Sequence, residues 1–179
     1  MKSESTAERT ELATFAAGCF WCIEEAFQQQ PGVIQAVSGY TGGRTPNPTY
    51  REVCTGQTGH AEAVQVTFDP ARISYEQLLA LFWKLHDPTQ LNRQGADVGT
   101  QYRSAIFYHG AEQQRLAEKS LEEESISGRH LKPIVTEIVP APVFYPAEKD
   151  HQEYYRRNKS APYCRAVIQP KLRALGLEP

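Results

Sequence analysis

The sequence predicts one domain of the α/β or α+β sandwich class, a mixed sheet with helices packed on it. Three observations predict it. The chain has 179 residues, 40% of them hydrophobic, enough for one core without staples. Short apolar or alternating runs bounded by Gly and Pro take turns with helical patterns, in the order strand, helix, strand, strand, helix, strand, helix, strand, helix. No internal repeat or low-complexity tract breaks that order.

Residues 12–17 are an apolar run closed by Gly18, read as a buried strand. Residues 20–29 have helical composition, and Pro31-Gly32 ends that helix. Residues 33–40 read as a second strand, followed by a loop over 41–48 rich in Gly, Pro and Asn. Residues 61–68 alternate, with Ala63, Gln65 and Thr67 on one face and Val64, Val66 and Phe68 on the other. Asp69-Pro70 ends the run. Ser74 is placed to cap a helix over 75–86 whose apolar stripe carries Leu78, Leu79, Phe82 and Leu85. Asp87-Pro88 stops it. A polar loop spans 92–100, then a strand over 104–108, a charged surface helix over 111–125 and a strand over 134–139. A helix over 146–157 would begin with Pro in its first turn. Residues 1–10 are polar and expected to be flexible. Residues 160–179 read as a long irregular C-terminal tail that wraps the surface.

Charge and hydropathy exclude several functions. The net charge of −2 gives no basic field for nucleic acid. The acidic stretch at 122–127 is short and reads as a solvated helix face. No apolar run approaches the roughly 18 residues of a membrane span, and residues 1–11 lack the apolar stretch of a secretory signal. The expected location is the cytoplasm. There the four cysteines, Cys19, Cys22, Cys54 and Cys164, read as buried, metal-binding or catalytic rather than as a disulfide framework. Met1 is the single methionine, which suits an enzyme that works around oxidants.

Gly18-Cys19-Phe20-Trp21-Cys22 is the most informative stretch. A cysteine between a strand end and a helix start meets unpaired N–H groups and a partial positive charge, which favour thiolate. Phe20 and Trp21 could be core anchors, or could form an apolar cage for a methyl group beside a nucleophile. Cys19 could equally be an inert buried thiol. Cys19 and Cys22 also form a CxxC pair, a redox signature that is weak alone. Zinc would need a second ligand pair, and Cys54 with His60 has no usual spacing. No metal is expected.

The sequence resembles the peptide methionine sulfoxide reductase A family. The resemblance begins at Gly18-Cys19-Phe20-Trp21 and continues through Gly39-Tyr40-Thr41-Gly42-Gly43, Asn47-Pro48-Thr49-Tyr50 and Thr58-Gly59-His60-Ala61-Glu62. It resumes at His86-Asp87-Pro88-Thr89, residues 97–104, Phe144-Tyr145-Pro146-Ala147-Glu148 and His151-Gln152. It covers nearly the whole chain after the first ten residues. The implied fold is α+β, a two-layer sandwich with a mixed sheet and a ferredoxin-like core, as one domain over 1–179.

The resemblance implies roles that the chemistry needs. Cys19 matches the nucleophile, and Phe20 and Trp21 the pocket for the substrate methyl group. Glu62 matches a carboxyl group acting on the sulfoxide oxygen, Tyr50 and Tyr102 the phenols bonded to that oxygen, and Asp97 a further carboxylate. A sulfoxide sulfur is a poor electrophile until its oxygen is protonated or strongly hydrogen-bonded, so Glu62 must hold a proton near neutral pH. Attack by Cys19 would leave a cysteine sulfenic acid. Family resemblance implies the S epimer of the sulfoxide, free or in oxidised proteins.

A second thiol must then close a disulfide. Cys164, in Pro162-Tyr163-Cys164, matches the resolving position of many family members, while Cys22 stands where members have glycine or cysteine. Cys164 is favoured as first resolver because a tail can reach the nucleophile. Cys54 reads as structural. The implied reductant is thioredoxin, with no bound cofactor, and a monomer is expected. The alternatives are a thioredoxin-like disulfide oxidoreductase using Cys19 and Cys22, and a non-catalytic sulfoxide-binding module.

Overall fold

A computed structural model describes residues 9–179. The flexibility expected of the N-terminus falls on 1–8, outside the described residues; Arg9 and Thr10 are exposed.

In chain order the elements are β1 (Glu11–Ala17), α1 (Phe20–Gln28), β2 (Val33–Thr41), α2 (Tyr50–Cys54), β3 (Ala61–Phe68) and α3 (Tyr75–Lys84). A two-residue hairpin, β4 (Arg93–Gln94) and β5 (Asp97–Val98), leads into a 3-10 turn at Thr100–Tyr102. Then come β6 (Ser104–Tyr108), α4 (Ala111–Ile126), β7 (Glu137–Pro140) and β8 (Tyr145–Pro146). A 3-10 turn at Lys149–His151, α5 (Tyr154–Arg157), a π-helical turn at Cys164–Ile168 and α6 (Gln169–Ala174) complete the chain.

One six-stranded sheet runs in the order β7-β6-β1-β3-β2-β8. The β6–β7 pair is parallel and every other neighbouring pair antiparallel, so the sheet is mixed. On one face Phe15 stacks on Phe27 of α1 at 5.1 Å and on Phe82 of α3 at 5.4 Å. Phe20, Ile23, Ala26 and Phe27 recur at helical spacing and bury one stripe of α1 on this face. The alternating residues Ala16, Ala61, Ala63, Ala105 and Phe107 form a second, smaller cluster, covered by Val139, Ala141 and Phe144. Glu62 alternates with Ala61 and Ala63, so it points to the opposite face, where the start of α1 covers it.

The capping signals are realised. The Ser74 side chain accepts the Gln77 N–H, and the Gln77 side chain accepts the Ser74 N–H. Thr49 and Glu52 make the same reciprocal pair at the start of α2, a short helix between the 41–48 loop and β3. The Thr-x-x-Glu spacing was its signal.

Two expectations fail. The continuous helix over 146–157 is broken up into a 3-10 turn at Lys149–His151 and the four-residue α5: Pro146 pairs with Gly39 in an edge strand, and Glu153 takes a left-handed conformation at φ 52°. Tertiary bonds replace helical ones here. The Gln152 amide donates to the Ser38 and Ala147 carbonyls and accepts the Ser38 N–H. The buried Glu24 carboxylate accepts the Glu153 N–H.

The second correction concerns the C-terminal segment, which is helical rather than irregular. Cys164, Ile168 and Leu172 lie four residues apart and are all buried, and this stripe outweighs the helix-breaking composition around it. Leu172→Ala is expected to cost about 2–5 kcal/mol, read as a lowered urea midpoint together with faster hydrogen exchange over 164–174.

Candidate active site

The strand end and helix start meet at Cys19, which is the N-cap residue of α1 with φ −58° and ψ 121°. Gly18 has φ 90°, and a Cβ there would stand 2.9 Å from the Gln94 side chain. Only glycine lets the β4–β5 hairpin pack this closely, and that hairpin carries Asp97.

Cys19 is half-buried and its thiol is free. The Trp21 N–H and the Tyr163 hydroxyl, both near the sulfur, pull its pKa down. Burial pushes harder in the other direction, with the negative charges of Glu62 and Asp97 adding to it, so the thiol lies well above its ordinary value. The pull expected of the helix start acts through the Trp21 N–H, and burial outweighs it.

Glu62, on β3, reaches under the start of α1. Its Oε1 accepts the Phe20 N–H at 3.2 Å, and its Oε2 has no partner although the residue is only 2% exposed. Burial, reinforced by the Asp97 charge and opposed by the Phe20 N–H, pushes its carboxyl up to about 8. At neutral pH most of it holds a proton.

Tyr50 begins α2, its N–H donating to Glu148 Oε2 at 3.2 Å. Its ring stacks on Phe20 at 6.4 Å and leans on His151 at 4.3 Å. Tyr102 ends the 3-10 turn after β5. Burial first, and then Glu62, raises both phenols above their ordinary value, so both keep their protons to donate. Glu62, Asp97, Cys54 and Cys19 are all near enough to Tyr102 for their negative charge to hold its proton on. The carboxylate of Asp97 accepts the Tyr163 hydroxyl at 2.7 Å.

Phe20 is buried, between Tyr40 and His151 at 5.7 Å each. Trp21 is half-buried, and its ring stacks face to face on Tyr154 at 3.8 Å. The indole N–H donates to His151 Nδ1 at 3.1 Å, so the His151 proton sits on Nε2. His151 and Tyr154 therefore fix the exposed wall of the aromatic cage. Sequence reading assigned neither a role, although His151 lies in a matched segment.

The other cysteines differ in setting. Cys22 is 2% and Cys164 0% exposed, in one core cluster. Burial raises both thiols, and at Cys22 the neighbouring Cys164 adds to the rise. Cys54, read as structural, is exposed, and the Tyr50 hydroxyl lowers its thiol while burial raises it.

His60 holds a loop instead of a metal. Its Nδ1 accepts the Gly43 N–H at 2.9 Å and its Nε2 meets the Thr45 carbonyl at 2.7 Å. Among the described residues no group of three His, Cys, Asp or Glu is placed to hold a metal ion, and no helix is long and apolar enough to cross a membrane.

Residues 11–177 match the family described as peptide methionine sulfoxide reductase. Peptide methionine sulfoxide reductase MsrA of Geobacter sulfurreducens is 60% identical over 147 residues, which cover 82% of this chain and 91% of that one. Methionine sulfoxide reductase A of Corynebacterium diphtheriae superposes with a TM-score of 0.82 at 40% identity, over 87% of this chain and 78% of the other. Mxr1 of Saccharomyces cerevisiae in reduced form superposes at 0.81 with 35% identity, over 87% and 90% of the two chains. The same yeast protein in complex with Trx2 matches at 0.58 and 24% identity, over 84% and 91%, a likeness of fold.

Proposed function

Because the chain belongs to the peptide methionine sulfoxide reductase family, we propose a reductase cycle in which Cys19 takes the oxygen of methionine S-sulfoxide while Glu62 supplies the proton. The enzyme reduces methionine sulfoxide to methionine. The carrying observation is the Glu62 carboxyl: buried, protonated up to about pH 8, with one oxygen unpartnered beside the Cys19 sulfur.

The substrate methyl group enters between Phe20 and Trp21, where apolar contact with two rings favours it over a polar group. Its oxygen takes hydrogen bonds from Tyr50, Tyr102 and the Glu62 O–H, whose donors are held ready before the substrate arrives. As Cys19 sulfur attacks the sulfoxide sulfur, Glu62 protonates the oxygen and then receives the proton the thiol gives up. The sulfur–sulfur bond formed by the attack and the sulfur–oxygen bond then both break as the hydroxyl passes to Cys19 sulfur and methionine departs. Methionine sulfur gains two electrons and Cys19 sulfur loses two, leaving Cys19 sulfenic acid. Asp97 holds Tyr163 next to the sulfur.

Cys164 then attacks Cys19 sulfur, and the hydroxyl leaves as water with the thiol proton. Cys164 is assigned this step because it directly follows Tyr163, whose hydroxyl sits on Asp97 at the site, whereas Cys22 is fixed by the first turn of α1. Cys22, beside Cys164, can receive the disulfide by exchange. Thioredoxin reopens it; the yeast relative, Mxr1, is found in complex with Trx2. A reducing compartment such as the cytoplasm suits this cycle, and the antioxidant role is the repair of free and protein-bound methionine by a monomer. The reading of β1, α1, β2, β3, α3 and β6 as a ferredoxin-like core is supported by the strand order β6-β1-β3-β2.

The disulfide oxidoreductase reading leaves Glu62, Tyr50 and Tyr102 without a task, since thiol exchange has no oxygen to protonate. The test of the cycle is Cys164→Ser. It keeps the first turnover and loses thioredoxin-driven cycling; if Cys22→Ser has that phenotype instead, the resolver order is reversed.

A further inference from the structure

We propose that the Tyr163 phenol latches the C-terminal segment over reduced Cys19, and that this latch must open before Cys164 can resolve the sulfenic acid. The inference rests on Cys164 being the first resolver.

Tyr163 faces the site. Its hydroxyl donates to Asp97 Oδ2 at 2.7 Å, reaches the Cys19 sulfur, and its ring stands edge-on to Trp21 at 5.9 Å. A hydroxyl donating to a carboxylate is one of the stronger hydrogen bonds. The next residue, Cys164, faces elsewhere: it is fully buried in the core, in line with Ile168 and Leu172. Consecutive residues of a helical chain point roughly 100° apart, from about 3.6 residues per turn. While Tyr163 faces Cys19, Cys164 does not.

The local backbone is suited to exchanging them. A π-helical turn spans Cys164–Ile168. Such turns hold one residue more than an α-turn and gather at functional sites. Relaxing the turn to α shifts the register by one residue, which is the offset between Tyr163 and Cys164. The far end of the segment stays fixed. Glu178 pairs with Gln29 at the end of α1 through two hydrogen bonds, of 2.7 and 2.9 Å. The motion is therefore a local turn of the stretch around 160–168, and the rest of the segment keeps its seat.

In the step so gated, Cys164 sulfur bonds to Cys19 sulfur, the Cys19 S–O bond breaks, and hydroxide leaves as water with the Cys164 proton. No further oxidant enters, since the sulfoxide has already oxidised Cys19.

The test uses full-length Tyr163→Phe and the parent enzyme, each mixed with one equivalent of a methyl sulfoxide peptide, quenched over time and read by mass spectrometry. Because Tyr163 also touches Cys19, the quantity read is the interval between methionine release and disulfide formation. Loss of the latch shortens that interval roughly tenfold, about 1.4 kcal/mol, within the range of one hydrogen bond to a charged group. In the reduced variant, amide exchange over 163–168 quickens by a similar factor while that of β1 and β3 holds. A Cys19–Cys164 disulfide formed at the parent's interval, with unchanged exchange, overturns the latch and leaves the resolver standing. A Cys19–Cys22 disulfide in the parent overturns both.

Discussion

Glu62→Gln slows single-turnover reduction of a methyl sulfoxide peptide at pH 7 by roughly 10²–10³-fold, the usual loss when a positioned acid or oxyanion donor is removed. Gln keeps the shape and an N–H, and lacks only the proton that can be transferred. Stopped-flow quench of one turnover measures this without interference from the resolving step. In the parent enzyme the same rate falls as pH rises through about 8, because Glu62 then loses its proton; the Gln variant has no such step.

The same substitution raises stability. Burial lifts the carboxyl from 4.5 to about 8 on folding. The unfolded chain ionises first, so stability is fully present below about 4.5 and declines as pH rises towards about 8. At pH 7 that decline is about 3 kcal/mol, and a Gln side chain escapes it. A urea midpoint for Glu62→Gln that exceeds the parent's at pH 7 and converges with it near pH 4.5 is the expected pattern. Loss of activity with a gain in stability distinguishes a catalytic acid from a structural one.

Cys19→Ser abolishes reduction, including the first turnover, down to the uncatalysed level. A serine oxygen cannot take up the sulfoxide oxygen, so the two electrons that methionine sulfur needs have no donor within the site. Cys22 and Cys164 are both buried and do not substitute. Methionine production by Cys19→Ser after one equivalent of substrate, assayed by mass spectrometry, checks this. Any stoichiometric yield would move the nucleophile elsewhere.

Much of this machinery is legible in the sequence because it depends on local spacing. Gly18 and Cys19 sit where a strand pattern gives way to a helical one, and the strand over 61–68 and the helix after Ser74 follow from period and cap alone. Glu62 is different. Its period places it on a strand, but only the packing of the start of α1 over that face of the sheet, 42 residues away in sequence, makes it a buried acid. The forces on the Cys19 thiol divide in the same way: the helix end is local and legible, whereas burial and the charges of Glu62 and Asp97 are tertiary.

The C-terminal third carries the remaining differences. Pro146 announces a helix start, yet Ser38 and Glu24 claim the backbone groups that a helix would use. His151, Tyr154 and Tyr163 complete the site through contacts more than 60 residues away in sequence, Trp21 to His151 and Asp97 to Tyr163 among them. Pattern reading has no period with which to find such partners. Only the four-residue spacing of Cys164, Ile168 and Leu172 was available, and Pro162 and Pro170 obscured it.

The most direct measurement is oxygen capture at Cys19 itself. A full-length variant with Cys22→Ser and Cys164→Ser is given one equivalent of methionine S-sulfoxide peptide in the presence of a dione that traps sulfenic acids, then digested and read by mass spectrometry. One adduct on the peptide bearing Cys19, equal in amount to the methionine formed, is the predicted result. Methionine formed with no adduct at Cys19, or with the adduct on Cys54, contradicts the assignment of that sulfur as the oxygen acceptor.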